Sequence, residues 1–310
     1  MSVQTTLEAL TDQAKPLGVS KLADLSDLPA EDAERLLRAW PRVELGRRRR
    51  IVRELTDLAE DNVELNFDAV FLTALGDEDG EVRRGAIRGL WEYKGRDLIG
   101  LLLGMLAGDA NAAVRAEAAL ALGRLVLQRE LSGQHEAEGD RIGRALRATV
   151  NDTGEIVEVR GRALEAIGAC SAAWVHDLID RAYEGDDRRL RLSAVHAMGR
   201  NCDSRWLPTL IAELDSDDPE MRFEAAGACG SIADEEATPH LVRLLDDTDV
   251  EAQEAAIAAL GEIGGAEAKE ALRGLLEEGD ERTREAALAA LAVIDFEEDP
   301  LSLRVRDQRR

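Results

Sequence analysis

A chain of 310 residues, 45% of them hydrophobic, can bury a continuous core, but aromatic residues make up only 3%, so that core must be aliphatic. Such a mixture suits packed helices better than a strand sandwich, which draws on aromatic and β-branched side chains. The formal net charge of −24 sets the surface against phosphate backbones and anionic lipid, so neither nucleic-acid nor membrane binding is expected.

At the N-terminus, MSVQTTLEALTDQ has no basic stretch followed by an apolar run. The longest apolar stretch, residues 98–107, is too short for a bilayer, and a cytoplasmic location is expected. Residues 20–28, 29–40 and 47–60 read as helices interrupted at Pro29 and Pro41. They precede the repeat described next, so residues 1–65 are read as a helical N-terminal cap with room for one degenerate repeat. The cluster Arg47, Arg48, Arg49, Arg50 and Arg53 is expected to pair with the chain's own acidic surface rather than with an acidic ligand.

From residue 66 to 295 one pattern recurs seven times. Its anchors are Arg83, Arg115, Arg160, Arg191, Arg222, Gln253 and Arg284, separated by 32, 45, 31, 31, 31 and 31 residues. Three residues after each anchor stands alanine: Ala86, Ala118, Ala163, Ala194, Ala225, Ala256 and Ala287. Seven residues after it come Leu90, Leu122, Ile167, Met198, Cys229, Leu260 and Leu291. With the residue preceding the anchor, these offsets lie four apart, on one face of an α-helix. Alanine in the middle of that face lets a neighbouring helix approach closely. Aspartates such as Asp79, Asp187, Asp218, Asp249 and Asp280 precede the anchors and can cap the helix start. Gly123, Gly168, Gly199, Gly230 and Gly261 follow eight residues after theirs, either as left-handed caps or as points of tight packing. A second amphipathic run lies between successive anchors, so each unit is a helical hairpin.

The unit seen in residues 109–123, aspartate followed by V-R-x-x-A-x-x-x-L-G, resembles the HEAT repeat, and its short period is most similar to the phycobilisome-lyase variety. The resemblance implies an all-α chain, an α-α superhelix (a HEAT-like solenoid) of about seven helical hairpins behind the N-terminal cap. It also implies that the helix carrying V-R lines the concave wall, so offsets of two, five and nine residues after the anchor should be the least buried. Those positions and the bulky residues near the same rim give a candidate partner-binding surface of Arg88, Trp91, Glu92, Arg124, Arg162, Glu165, His196, Arg200, Trp206 and Glu224. The anchors themselves are read as structural, bonding acids or carbonyls of adjacent repeats.

Between Arg115 and Arg160 about fourteen extra residues fall near 128–141, an insertion expected at one edge of the array. Residues 296–310 are read as a polar C-terminal tail. Cys170, Cys202 and Cys229 have no metal-ligand spacing, and His135, His176, His196 and His240 stand at unrelated offsets. No nucleophile elbow, zinc motif or phosphate loop occurs. No cofactor or metal is expected, and the chain reads as a non-enzyme. Its expected function is that of a HEAT-repeat scaffold binding a protein or peptide on the concave face. The alternative is a phycobilisome-lyase-like accessory or chaperone-type protein acting on a pigment or apoprotein.

Overall fold

The computed structural model describes residues 3–12, 18–95, 97–132 and 136–298. Among these residues there are eighteen α-helices and no strand. The fold divides into two compact units, Met1–Arg129 with His135–Ala163, and Leu164–Arg310 with Glu130–Gln134.

The first unit opens with α1 (Val3–Thr11), α2 (Val19–Leu22), α3 (Ala30–Ala39) and α4 (Leu45–Asp61). There follow α5 (Asp68–Ala74), α6 (Gly80–Gly89), α7 (Leu98–Gly108), α8 (Ala112–Ser132), α9 (Glu136–Asn151) and α10 (Val157–Ile167), the division between units passing through α8 and α10. In the second unit come α11 (Ala173–Tyr183), α12 (Arg188–Asn201), α13 (Leu207–Glu213) and α14 (Pro219–Ile232), then α15 (Thr238–Arg243), α16 (Val250–Ile263), α17 (Gly265–Glu278) and α18 (Glu281–Glu298). The seven anchors fall on the even-numbered helices α6 to α18. Second helices of successive hairpins lie side by side: α4 lies on α6 in the first unit, and α12, α14, α16 and α18 form a row in the second.

Alanine makes that row possible. All seven repeat alanines are 0% exposed. Gly199, Gly230 and Gly261 prove to be packing positions, not caps: α12 runs on past Gly199 to Asn201, α14 past Gly230 to Ile232 and α16 past Gly261 to Ile263. A Cβ on Gly168, Gly199, Gly230 or Gly261 would stand 2.7–3.0 Å from the Cα of Ala197, Ala228, Ala259 or Ala290 on the following helix. Glycine against alanine at each step lets two helix backbones touch, and any larger side chain would hold them apart. The left-handed turns that end α12 and α14 belong to Cys202 and Ala233 instead.

Between hairpins three of the anchors form clamps. Arg83 gives Asp109 two bonds, Nε to Oδ2 at 2.7 Å and Nη2 to Oδ1 at 2.6 Å, while its Nη1 donates to the carbonyl of Asp77 at 2.7 Å. Arg115 does the same to Glu155 and to the carbonyl of Asp109, and Arg222 to Asp247 and the carbonyl of Ser216. The accepting aspartates also hold the turn into the next second helix, Asp109 through the amide of Asn111 and Asp247 through that of Asp249. Paired bonds of this kind, half sheltered from water, contribute about 1.5–3 kcal/mol each. Capping follows the sequence as well: Asp79, Asp187, Asp218, Asp249 and Asp280 each accept a backbone N–H from the first turn that follows.

Four of the five arginines in the N-terminal cluster are spent on the protein itself. Arg48, only 5% exposed, reaches Asp77 at 2.9 Å and Glu78 at 2.8 Å, and the Trp40 indole N–H donates to the same Asp77 carboxylate. Arg47 donates to carbonyls of α1 and of Asp12, Arg49 to Asp79 and Arg50 to Glu54, while Arg53 is exposed. Arg48 clamps Asp77 much as Arg83 clamps Asp109, and α3 and α4 sit on α5 and α6 as one hairpin sits on the next. The insertion near 128–141 lengthens two helices, the end of α8 and the start of α9, with residues 133–135 outside the described residues. In the segment read as a tail, residues 296–298 continue α18, and 299–310 lie outside the described residues.

Candidate partner-binding surface

Exposure on the second helices is set by the hairpin geometry. The anchor-plus-three and anchor-plus-seven side chains go inward, and positions two, five and nine after the anchor are left over. In the first unit Arg88 and Arg124, at offsets five and nine, come together with Trp91, at offset eight. They line an open pocket of about 360 Å³ with Thr56 and Glu60, so α4, α6 and α8 contribute to one depression. Trp91, just beyond the end of α6, is 43% exposed, and Glu92 beside it is exposed as well. A slot of about 100 Å³ adjoins the pocket, sharing Trp91 and Arg124 and otherwise lined by apolar side chains including Leu98, Leu102 and Leu125, with Gln128 at its edge.

The two guanidinium groups differ. Arg88 donates to Glu117 on α8, Nε to Oε2 at 2.8 Å, and this bond raises its pKa. Among the described residues Arg124 has no hydrogen-bond or ion-pair partner. Although the residue is exposed overall, packed surroundings withdraw water from its head group and lower its pKa, with the charge of Glu117 opposing the shift. A guanidinium with five donors and no acceptor, beside an open indole and an apolar slot, can accept a planar anion in two-pronged fashion.

In the second unit His196 on α12 and Glu224 on α14 meet, Nδ1 to Oε2 at 3.0 Å, and both are half-buried. Arg200, nine residues after its anchor as Arg124 is, is half-buried with its Nε enclosed and without a hydrogen-bond partner. Arg162 lies along α10 against Glu158, one turn earlier.

Two of the expected surface residues belong to the interior. Glu165 is 3% exposed, its Oε1 accepting from the Ser193 hydroxyl at 2.8 Å and from Arg189 at 2.9 Å. It can be buried because α12 offers it both a hydroxyl and a guanidinium, so the carboxylate is satisfied there. Trp206 is 2% exposed. It ends a 3-10 turn that leads into α13; its indole N–H donates to Asn201 and the ring meets His176 edge-on. Arg205 covers the same ring, 4.6 Å from its centre.

Thr56 and Glu60 were missed by the repeat rule because α4 lies before the first aligned unit. Matching Arg48 to Arg83 on the clamp they both make places Thr56 at the offset of Trp91. Among the described residues no group of three or more His, Cys, Asp or Glu side chains is placed to hold a metal ion. His135 lies outside those residues. No described helix is long and apolar enough to cross a membrane.

Comparison with known proteins agrees with the geometry. A family model described as HEAT repeats matches residues 69–137, 175–252 and 207–292. No curated protein sequence matches the chain. Among solved structures, the complex of CpcE and CpcF of phycocyanin lyase from Nostoc sp. PCC7120 is similar at 19% identity and a TM-score of 0.52, over 92% of this chain and 96% of that one. A Kap121p variant is similar at 15% identity and a TM-score of 0.51, over 99% of this chain but 40% of that one. At such identities the likeness is one of fold.

Proposed function

The chain belongs to the HEAT-repeat family, and from that premise we propose that it is a non-catalytic scaffold that binds a protein or peptide partner along its second helices. The observation that carries the reading is the pocket of Arg88, Trp91 and Arg124, where an exposed indole and an unpaired guanidinium stand together on successive hairpins. Several other arginines, Arg48, Arg83, Arg115 and Arg222 among them, are taken up by clamps. Residues that pack or pair have a structural reason to be where they are, whereas Trp91 and Arg124 expose apolar area and leave donors unused. Aromatic and arginine anchors of this kind dominate binding energy at interfaces. Of the acids near the pocket, Glu60 is exposed and Glu117 is paired with Arg88, which favours binding over bond-making chemistry.

Photo-crosslinkers placed at Glu92 and at Asp177, an exposed residue of α11, test the reading in cells of the source organism. A partner captured from Glu92 and lost in Arg124→Glu is the expected result. Equal capture from the α11 position, or capture from neither, removes the support.

A second reading has one observation in its favour: the match to the phycocyanin lyase complex spans nearly the whole of both chains. On that reading the same surface serves an accessory or chaperone-type protein handling a pigment or an apoprotein. A pigment-dependent absorbance change on mixing with a bilin would favour it, and the absence of such a change would set it aside.

A further inference from the structure

We infer that the pocket between α4, α6 and α8 takes a single carboxylate carried next to an aliphatic side chain, as in a peptide segment where Glu or Asp adjoins Leu, Ile or Val. The inference rests on the scaffold reading above and names the chemistry of its partner at that site.

Three features of the pocket lead to it. Arg124 is a planar cation with no protein acceptor, in surroundings that have already removed part of its water. A carboxylate matches its fork with two parallel N–H···O bonds and replaces the lost hydration. The apolar slot begins at the same two residues, Trp91 and Arg124, so the group that fills it must lie within about one residue of the anion. Its volume of about 100 Å³ holds several waters and so admits one aliphatic side chain, whose entry releases those waters. Trp91, shared by both cavities, can cover the junction between the carboxylate and the aliphatic group.

Charge decides how much anion the site tolerates. Glu60 lines the same pocket, Glu117 already neutralises Arg88, and the chain as a whole carries −24. One carboxylate bonded directly to Arg124 gains from a contact that salt hardly screens. Each further negative charge meets only the repulsive field of the rest of the protein. A nucleic acid or a run of acidic residues is therefore excluded, and an isolated acid flanked by apolar residues is selected. Raising salt weakens the repulsion more than the contact, so affinity holds or rises between about 0.05 and 0.3 M ionic strength.

The test uses the full chain with ¹⁵N-labelled tryptophan, whose four indole N–H signals are followed by NMR. Trp91→Phe assigns the Trp91 signal. The probes are acetyl-Glu-Leu-amide, its Gln-Leu counterpart, and inorganic phosphate. The Glu-Leu peptide is expected to shift the Trp91 signal saturably in the millimolar range and to leave Trp40 and Trp206 in place. Arg124→Gln is expected to weaken that response about tenfold or more, and the Gln-Leu peptide to give little response. An equal shift with the Gln-Leu peptide, or an Arg124→Gln variant that still responds, overturns the inference. So does a phosphate response as strong as that of the peptide, since it would make the site a general anion site. Failure here with Glu92 crosslinking still giving a partner refutes the carboxylate assignment alone. Loss of that crosslinking refutes the scaffold reading on which it rests.

Discussion

Gly199→Ala tests the close approach of the second helices, with Gly227→Ala as its control. An added Cβ at Gly199 stands 2.7 Å from Ala228 Cα and 2.8 Å from its Cβ. Both belong to the body of α14, so relief requires moving a helix rather than turning a side chain. Overpacking of this kind costs about 1–3 kcal/mol, against about 1 kcal/mol returned by the better helix propensity of alanine. The net expectation is a destabilisation of about 1 kcal/mol. Gly227 lies on α14 itself, exposed, with no atom within 4 Å of an added Cβ, so the same substitution there gains about 1 kcal/mol. Urea unfolding followed by far-ultraviolet circular dichroism compares the two with the parent chain. The midpoint should fall for Gly199→Ala and rise for Gly227→Ala, a separation of about 2 kcal/mol. Equal stabilisation by both substitutions would refute the glycine-on-alanine contact.

Three further outcomes follow from the same structure. Arg49, Arg115 and Arg222 hold Asp79, Glu155 and Asp247 below the usual carboxylate range, so their stabilisation is complete above the unfolded values near about 4 and is lost as pH falls through the depressed native values. Urea midpoints between about pH 6 and 2.5 should fall steeply at the acid end, and Arg222→Ala should lower the neutral midpoint by about 2 kcal/mol while flattening that fall. Burial pushes the Cys229 thiol up to about 12, whereas Cys202 is exposed, so a thiol reagent should label Cys202 in the native protein and Cys229 only on unfolding. Trp206→Ala should cost about 3–5 kcal/mol and Trp91→Ala less than about 0.5 kcal/mol in thermal or urea unfolding, because only the first empties a packed site.

The hairpin array was legible because its signal is periodic. Seven alanines in one phase have a single physical use, and all of them are buried. The clamps were legible in kind, since an arginine recurring before a buried face needs an acceptor, although the particular acceptors, such as Asp109 for Arg83, depend on the next hairpin's turn. Exposure at a single position was less legible. The offset that leaves Arg88 in solvent places Glu165 in the interior, because its fate depends on what the following helix presents, Ser193 and Arg189 in this case. Trp206 looked like a rim residue by its place near a helix end, but it ends a 3-10 turn and is buried against Asn201 and His176. The pocket itself needed α4, whose side chains follow no aligned repeat.

Hydrogen exchange of the full chain, with and without the partner captured by crosslinking, tests the central claim most directly. Slowed exchange over the end of α6 through Glu92 and the middle of α8 around Arg124 is the outcome expected of a scaffold that binds along its second helices. Protection confined to first helices such as α11, with residues 84–92 and 120–128 unchanged, would contradict it.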